Sequence, residues 1–315
     1  MSTIRISQEH TAILEKQGYV LVPDFLTEDE LQHCQEEAEQ YFPSSDDLAG
    51  APERYANLAR VRSFPFAGTS LNRITTHPDI LDFLERSYGT GRLRLGESAL
   101  QTKYGTRFGA GVDQTLHNDT WGKKSLAYPR DDGLFRQTFM ILYYTDVTAD
   151  SAPTCVVSQE HSRAMDLLLT ENGETTWDPD IYPDLYRKEI PVLAKAGSLL
   201  IFTGSTLHRG TAMRAEKGQR LAHFLTYHTA HATWMENLAW PSGARPRPDS
   251  HAMQRFLEES GPRERELIGF PRVGDPYWSE QILRGMAVRY PGMDLSPYRE
   301  AIRRNNANPN PGSPN

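Results

Sequence analysis

Hydrophobic residues follow one spacing in the first ninety positions and another beyond them. Upstream the interval is helical. Ser7 can cap a helix running through HTAILEKQG, with Gly18 as its stop. The run YVLVPDFL is short, apolar and β-prone. TEDELQHCQEEAEQYF then opens with Thr27 and Glu30 at capping-box spacing, and Leu31, Cys34 and Ala38 recur at helical intervals. Residues 44–66 turn polar and irregular, which predicts a loop, and HPDILDFLERSYG predicts another short amphipathic helix.

Past Gly91 the period shortens. LRLGESALQTKYG alternates, which assigns Leu93, Leu95, Ala99, Gln101 and Lys103 to one face. QTFMILYYTDV, APTCVVSQ, KEIPVLA, GSLLIFTG and QRLAHFLTYHTA are further β-prone runs. The turns between them are rich in Gly, Pro, Asp and Ser, the punctuation of an all-β sandwich or barrel. Segment 162–187 reads as an inserted helix plus a long loop, a type that often covers an active site. Beyond residue 232 the chain is rich in Pro and Arg, with helices expected near HAMQRFLEES and YWSEQILRGMAVRY. The closing NNANPNPGSPN cannot build a core and is predicted disordered. Without a repeat or a clear linker, one domain over 1–304 is expected. It comprises a helical part (1–90), a β core (about 91–232) and a C-terminal helical extension (233–304), with a disordered tail at 305–315.

Composition narrows the class. The 315 residues are 38% hydrophobic and 24% charged, ordinary for a globular protein with a real core. A net charge of −7 and the absence of a basic stripe argue against nucleic acid as a partner. The two cysteines, Cys34 and Cys155, form neither a disulfide framework nor a C-x-x-C pair, which fits a reducing cytoplasm. No apolar run reaches the roughly 18 residues of a membrane span, and MSTIRISQEH lacks the apolar core of a secretory signal. A cytoplasmic protein is expected, and a homodimer stays open.

The candidate chemistry begins at TLHNDTWG. His117 and Asp119 stand at i and i+2, the spacing of one strand face, where an imidazole and a carboxylate could share a metal ion or form a surface pair. A third donor is available in GSLLIFTGSTLHRG, where His208 follows an apolar strand. Two histidines and one carboxylate match the facial triad of Fe(II) oxygenases, which leaves three adjacent coordination positions open. Twelve positions on, Arg220 begins RLAHFLTYH, so that Arg220, Ala222, Phe224, Thr226 and His228 would share a face. An arginine entering a barrel interior is costly unless it meets an anion, and its planar fork suits a carboxylate; a surface arginine at a strand end is the plainer reading.

These segments resemble the phytanoyl-CoA dioxygenase (PhyH-type) family of Fe(II)/2-oxoglutarate-dependent oxygenases over residues 10 to 232. GYVLVPDFLTEDEL is similar to the family's opening strand and helix, LHNDTWG to its H-x-D motif, SAPTCVVSQEHS to its hairpin, and AGSLLIFTGSTLHRG to the segment with the distal histidine. The resemblance implies a double-stranded β-helix (jelly-roll, cupin-like) core in a mainly β protein with flanking helices. It implies Fe(II) on His117, Asp119 and His208, with 2-oxoglutarate and O₂ as co-substrates and Arg220 on the distal carboxylate. Lys103 and Thr211 match positions that touch the co-substrate in some relatives. Trp121 and His228 are candidates for the substrate wall. The hairpin departs from the usual Pro-Gly-Ser-His at Ser158-Gln159-Glu160-His161. The spacing from His208 to Arg220 is one residue longer than usual, which puts Gln219 at the common offset, but Gln219 cannot pair with a carboxylate as an ion.

Related halogenases carry a small residue where Asp119 stands, so the aspartate favours hydroxylation. The same hydrogen abstraction can instead end in desaturation, ring formation or epimerisation. A His₂Asp zinc hydrolase and a non-catalytic cupin-like binding protein are the readings from other classes.

Overall fold

The computed structural model describes residues 4–55, 58–109, 111–119, 136–162, 176–232 and 252–307. Its N-terminal part begins as the caps require. Helix α1 (Gln8–Gln17) starts at Ser7, whose side chain accepts from His10 N–H, and stops at Gly18 in the left-handed region (φ 81°). Strand β1 (Tyr19–Val22) follows, then α2 (Glu28–Glu39), with a reciprocal capping box between Thr27 and Glu30. The stretch expected as a loop holds short elements: α3 (Ser45–Gly50) and the edge strand β2 (Val61–Ser63). Both are too short for a period to register in the sequence. Helices α4 (Thr69–Thr75) and α5 (Pro78–Tyr88) complete this part.

Two antiparallel sheets form the core. The strands are β3 (Leu93–Tyr104), β4 (Leu116–His117), β5 (Gln137–Tyr143), β6 (Thr154–Val157), β7 (Thr176–Trp177), β8 (Ile190–Pro191), β9 (Leu199–Thr203), β10 (Leu207–Gly210) and β11 (Gln219–Thr229). The helical turns α6 (Gln159–Ser162) and α7 (Pro183–Tyr186) interrupt them. The larger sheet runs β1-β9-β5-β11-β3-β2 and the smaller one β7-β4-β10-β6-β8, a jelly-roll core with flanking helices. Helices α8 (Ala252–Glu259), α9 (Pro262–Leu267), α10 (Glu280–Arg289) and α11 (Ser296–Ala307) follow. Helix α11 runs three residues into the stretch expected to be disordered, so the described chain stays ordered to Ala307. Of the cover expected over 162–187, residues 163–175 lie outside the described residues, and so do residues 233–251 of the C-terminal extension.

The larger sheet separates two cores. Its outer face meets the helices through Leu100, Met140, Leu142, Ile201, Leu225 and Tyr227. Its inner face meets the smaller sheet through Phe139, Ile141, Tyr143, Leu200 and Phe202. Strand β3 changes faces midway. Opposite β11, Tyr227 pairs with Leu95 and Thr226 with Glu97, so Gly96 is the extra residue of a bulge. Leu93 and Leu95 therefore face the helices with Leu100, while Glu97, Gln101 and Lys103 face the interior. The single alternating face expected from the sequence is thus two half-faces.

Between the larger sheet and the helices lies a buried polar chain. His223 sits between Ser98 Oγ (2.8 Å) and the Tyr144 hydroxyl (3.0 Å), and Ser98 also meets Thr75 Oγ1 at 2.8 Å. Burial holds the His223 imidazole down at about 3, against an ordinary 6.5. The unfolded chain binds this proton below about pH 6.5 and the folded chain does not until about pH 3. Stability is therefore lost as pH falls through that window, by at most about 1.4 kcal/mol per pH unit for this one proton. Urea unfolding at a series of pH values should show His223→Gln with a pH dependence shallower by about one proton over that window.

Gly18 joins α1 to the turn that precedes β10. Its carbonyl accepts from Thr203 N–H (2.9 Å) and the Thr206 hydroxyl (2.6 Å), and an added Cβ would lie 2.5 Å from the Gln159 side chain. Gly18→Ala should cost at least about 1–2 kcal/mol from the left-handed backbone alone, read as a lower midpoint in chemical unfolding.

Candidate metal centre

Strand β10 pairs with β4 through one register position, His208 opposite His117. The two imidazoles leave adjacent strands side by side, ring centroids 4.5 Å apart. Each ring is oriented by its own chain. His117 Nδ1 lies 2.7 Å from Thr115 O and His208 Nδ1 lies 3.1 Å from Thr206 O, two residues upstream in both cases. A carbonyl oxygen can only accept, so Nδ1 carries the proton and Nε2 keeps its lone pair. The Asp119 carboxylate bridges the pair, Oδ1 at 3.8 Å from His117 Nε2 and Oδ2 at 3.4 Å from His208 Nε2.

All three donor atoms lie within 4.8 Å of one another. Donors about 2.1 Å from one ion and at right angles to each other are about 3 Å apart, so small side-chain movements would bring this set onto one face of an octahedron. Strand alternation is not what places Asp119. Strand β4 ends at His117 and Asp119 lies in a bend beyond it, with Asn118 fully buried between them.

The three donors open into a cavity of about 320 Å³ whose floor is the inner face of the larger sheet. The register sets its rows. Phe202, Phe139, Thr226 and Glu97 are successive neighbours across β9, β5, β11 and β3. The Phe202 ring lies 4.7 Å from that of His208, which puts this row at the level of the donors. Six positions along, Arg220 and Lys103 face each other across β11 and β3.

Arg220 is 4% exposed, and its Nε and Nη2 have no hydrogen-bond partner. Its guanidinium carbon is 5.7 Å from each of the Tyr143 and Phe224 ring centres. Burial lowers its pKa, the mark of a cation that lacks an anion. Lys103 Nζ donates to Thr211 O at 2.6 Å; burial, then the nearby Arg220, lowers it to about 8. Gln219 bonds Thr102 and Tyr104 on the other face of the sheet.

Two weaker candidates stand apart. The Thr211 hydroxyl donates to Pro153 O (2.7 Å), and Gly210 and Thr154 line the cavity in its place. His228 is buried with Nδ1 2.9 Å from Thr229 O and does not line the cavity, because that face of β11 leaves the cavity after Thr226. Trp121 lies outside the described residues. Glu97, Gln101 and Gln114 do line the cavity and were not singled out from the sequence. A bulge placed at Gly96 would have exposed the first two; Gln114, three residues before His117, carried no pattern.

The phytanoyl-CoA dioxygenase (PhyH) family model matches residues 14–222. No curated protein matches the chain. Among solved structures, EctD from S. alaskensis in its apoform is similar with a TM-score of 0.55 at 19% identity, over 79% of this chain and 84% of that one. HygX from Streptomyces hygroscopicus, with nickel and 2-oxoglutarate bound, gives 0.52 at 18%, over 76% and 94%. The epimerase SnoN, in complex with Fe3+, alpha ketoglutarate and nogalamycin RO, gives 0.52 at 20%, over 76% and 92%. At these identities the structural likeness establishes the fold. The family model spans both ligand-bearing strands and Arg220, and the chain belongs to the phytanoyl-CoA dioxygenase family.

Proposed function

We propose that this chain is an Fe(II)- and 2-oxoglutarate-dependent dioxygenase that hydroxylates an unactivated C–H bond of a small metabolite or natural-product intermediate. One observation carries the reading: the His117–Asp119–His208 set and a buried arginine with unpaired donors face the same cavity. The donor set, two imidazoles and a carboxylate with each histidine Nδ1 held by a backbone carbonyl, fits a divalent first-row ion. The unpaired Arg220 fits a dicarboxylate co-substrate, whose far carboxylate its fork would hold. Bound Fe(II), with 2-oxoglutarate and O₂, supplies the oxidation that breaks the C–H bond and releases succinate and CO₂.

The chain's own residues provide position and dryness. Thr115 O and Thr206 O fix both imidazoles in the tautomer a metal needs. Lys103, tied to Thr211 O, adds a second positive group beside Arg220, so an anion is drawn to that end of the cavity. Phe139 and Phe202, stacked 5.4 Å apart, keep the floor beside the donors apolar. Asp119 fills the third ligand position, which supports hydroxylation over halide transfer. We place the enzyme in the cytoplasm; Cys34 and Cys155 are free and buried in separate parts of the fold. Epimerisation, ring formation and desaturation share the same first step, and the likeness to the epimerase SnoN keeps them in view for product analysis.

Incubating anaerobically Fe(II)-loaded protein with 2-oxoglutarate and then O₂ should yield succinate, and His208→Ala should abolish it. Unchanged succinate release in that variant overturns the assignment. Arg220→Met should separate stability from function. Removing a buried cation that lacks an anion should leave the apoprotein as stable or more so. The loss of a buried charge-assisted contact, about 2–5 kcal/mol, should raise the KM for 2-oxoglutarate at least tenfold.

A further inference from the structure

We propose that Tyr186 is a positioning residue for the metal centre, coupling the strand that carries His117 to the side chain that follows His208. The inference rests on the oxygenase reading above and adds to it a residue outside the cavity. Strand β4 is two residues long and has little to hold it. On one side it meets β10 at the single pair His117–His208; on the other it meets β7 at Leu116–Trp177 and His117–Thr176.

The Tyr186 hydroxyl is inserted into that second seam. It accepts from Leu116 N–H at 2.9 Å and donates to Trp177 O at 2.8 Å, relaying between two facing strands. Burial raises the phenol's pKa, so the group remains a donor. The same side chain reaches the other ligand strand. The Arg209 guanidinium lies over the Tyr186 ring, 5.6 Å from its centre, and Arg209 directly follows His208.

Arg209 is held in turn by Glu189, three residues after Tyr186, through two bonds of 2.7 Å to Nε and Nη2. Its Nη1 lies 3.8 Å from Asp113, whose carboxylate also accepts from Ala212 N–H at 2.8 Å. Beneath the ring, Leu116, Trp177, Leu185 and Leu207 form an apolar cluster. Tyr186 thus touches the residue before one histidine and the residue after the other. Groups that orient ligands from behind commonly contribute tenfold to a hundredfold in metal affinity.

The test is an anaerobic titration of Fe(II) into apoprotein with 2-oxoglutarate present, followed by charge-transfer absorbance, with thermal unfolding of the same apo samples. Tyr186→Phe keeps the ring under Arg209 and removes the relay. It should bind Fe(II) about tenfold more weakly while remaining folded, with a midpoint a few degrees lower at most. Wild-type affinity and an unchanged spectrum in this variant overturn the inference whatever the midpoint, because a purely structural tyrosine would move only the melt. Should Tyr186→Phe fail to fold, Glu189→Ala releases Arg209 and leaves the relay intact. It should show a smaller loss of Fe(II) affinity, and none at all would overturn the inference. Failure of the wild-type protein to bind Fe(II) overturns the oxygenase reading itself and the inference with it, an outcome distinct from wild-type binding that the variants retain.

Discussion

The pairing of His208 on β10 with His117 on β4 fixes the separation of the two imidazoles, and the surrounding structure is arranged to keep it. Two strands in register hold their side chains about 5 Å apart, close enough for one ion to reach both. Such a short seam would slip if left alone. β10 is therefore paired along its other edge with β6 at four positions, from Leu207–Val157 to Gly210–Thr154. Ahead of β10, Thr206 and Thr203 are anchored on Gly18 at the end of α1. A helix stop at residue 18 thus bears on a ligand at 208, which is why a left-handed glycine far from the cavity belongs to the site's support.

The second constraint is the charge of Arg220. A guanidinium buried without an anion costs stability, and packing between Tyr143 and Phe224 does not offset it. Its neighbour Lys103 makes the local field more positive still. An anion bound beside the pair would offset that cost. The His223 chain on the opposite face of the sheet is the contrast. There both hydrogen-bond partners, Ser98 and Tyr144, are neutral and the imidazole is held uncharged, so that buried polar group stiffens the scaffold without inviting a ligand.

Much of this was legible in the sequence. The caps at Ser7, Thr27 and Gly18 have fixed residue chemistry, and the apolar runs became strands β5, β9 and β11. His117, Asp119 and His208 could be singled out because their donor atoms are few and their types specific. What escaped was geometry without a residue-type signature. One glycine at a bulge reverses the faces of β3, so Glu97 and Gln101 enter the cavity while Leu93 and Leu95 leave it. Thr211 carries a hydroxyl at a plausible position, yet Pro153 O already accepts its proton. Tyr186 is one of 14 tyrosines, and only the fold brings its hydroxyl to Leu116.

The cavity's polarity runs along β11 and β3 and determines what can happen in it. Arg220 and Lys103 hold one end, Ile141 and Phe224 line the middle, and Thr226 and Glu97 close the row beside the aromatic floor. Such a field favours a dicarboxylate that lies along it, one acid group at the cationic end and the other directed at the donors. Phe139 and Phe202 leave the floor beside the donors apolar, and water is poorly held there. A group placed there is desolvated. Glu97, Gln101 and Gln114 give the cavity polar wall as well as aromatic floor, so both kinds of surface are open to a bound molecule.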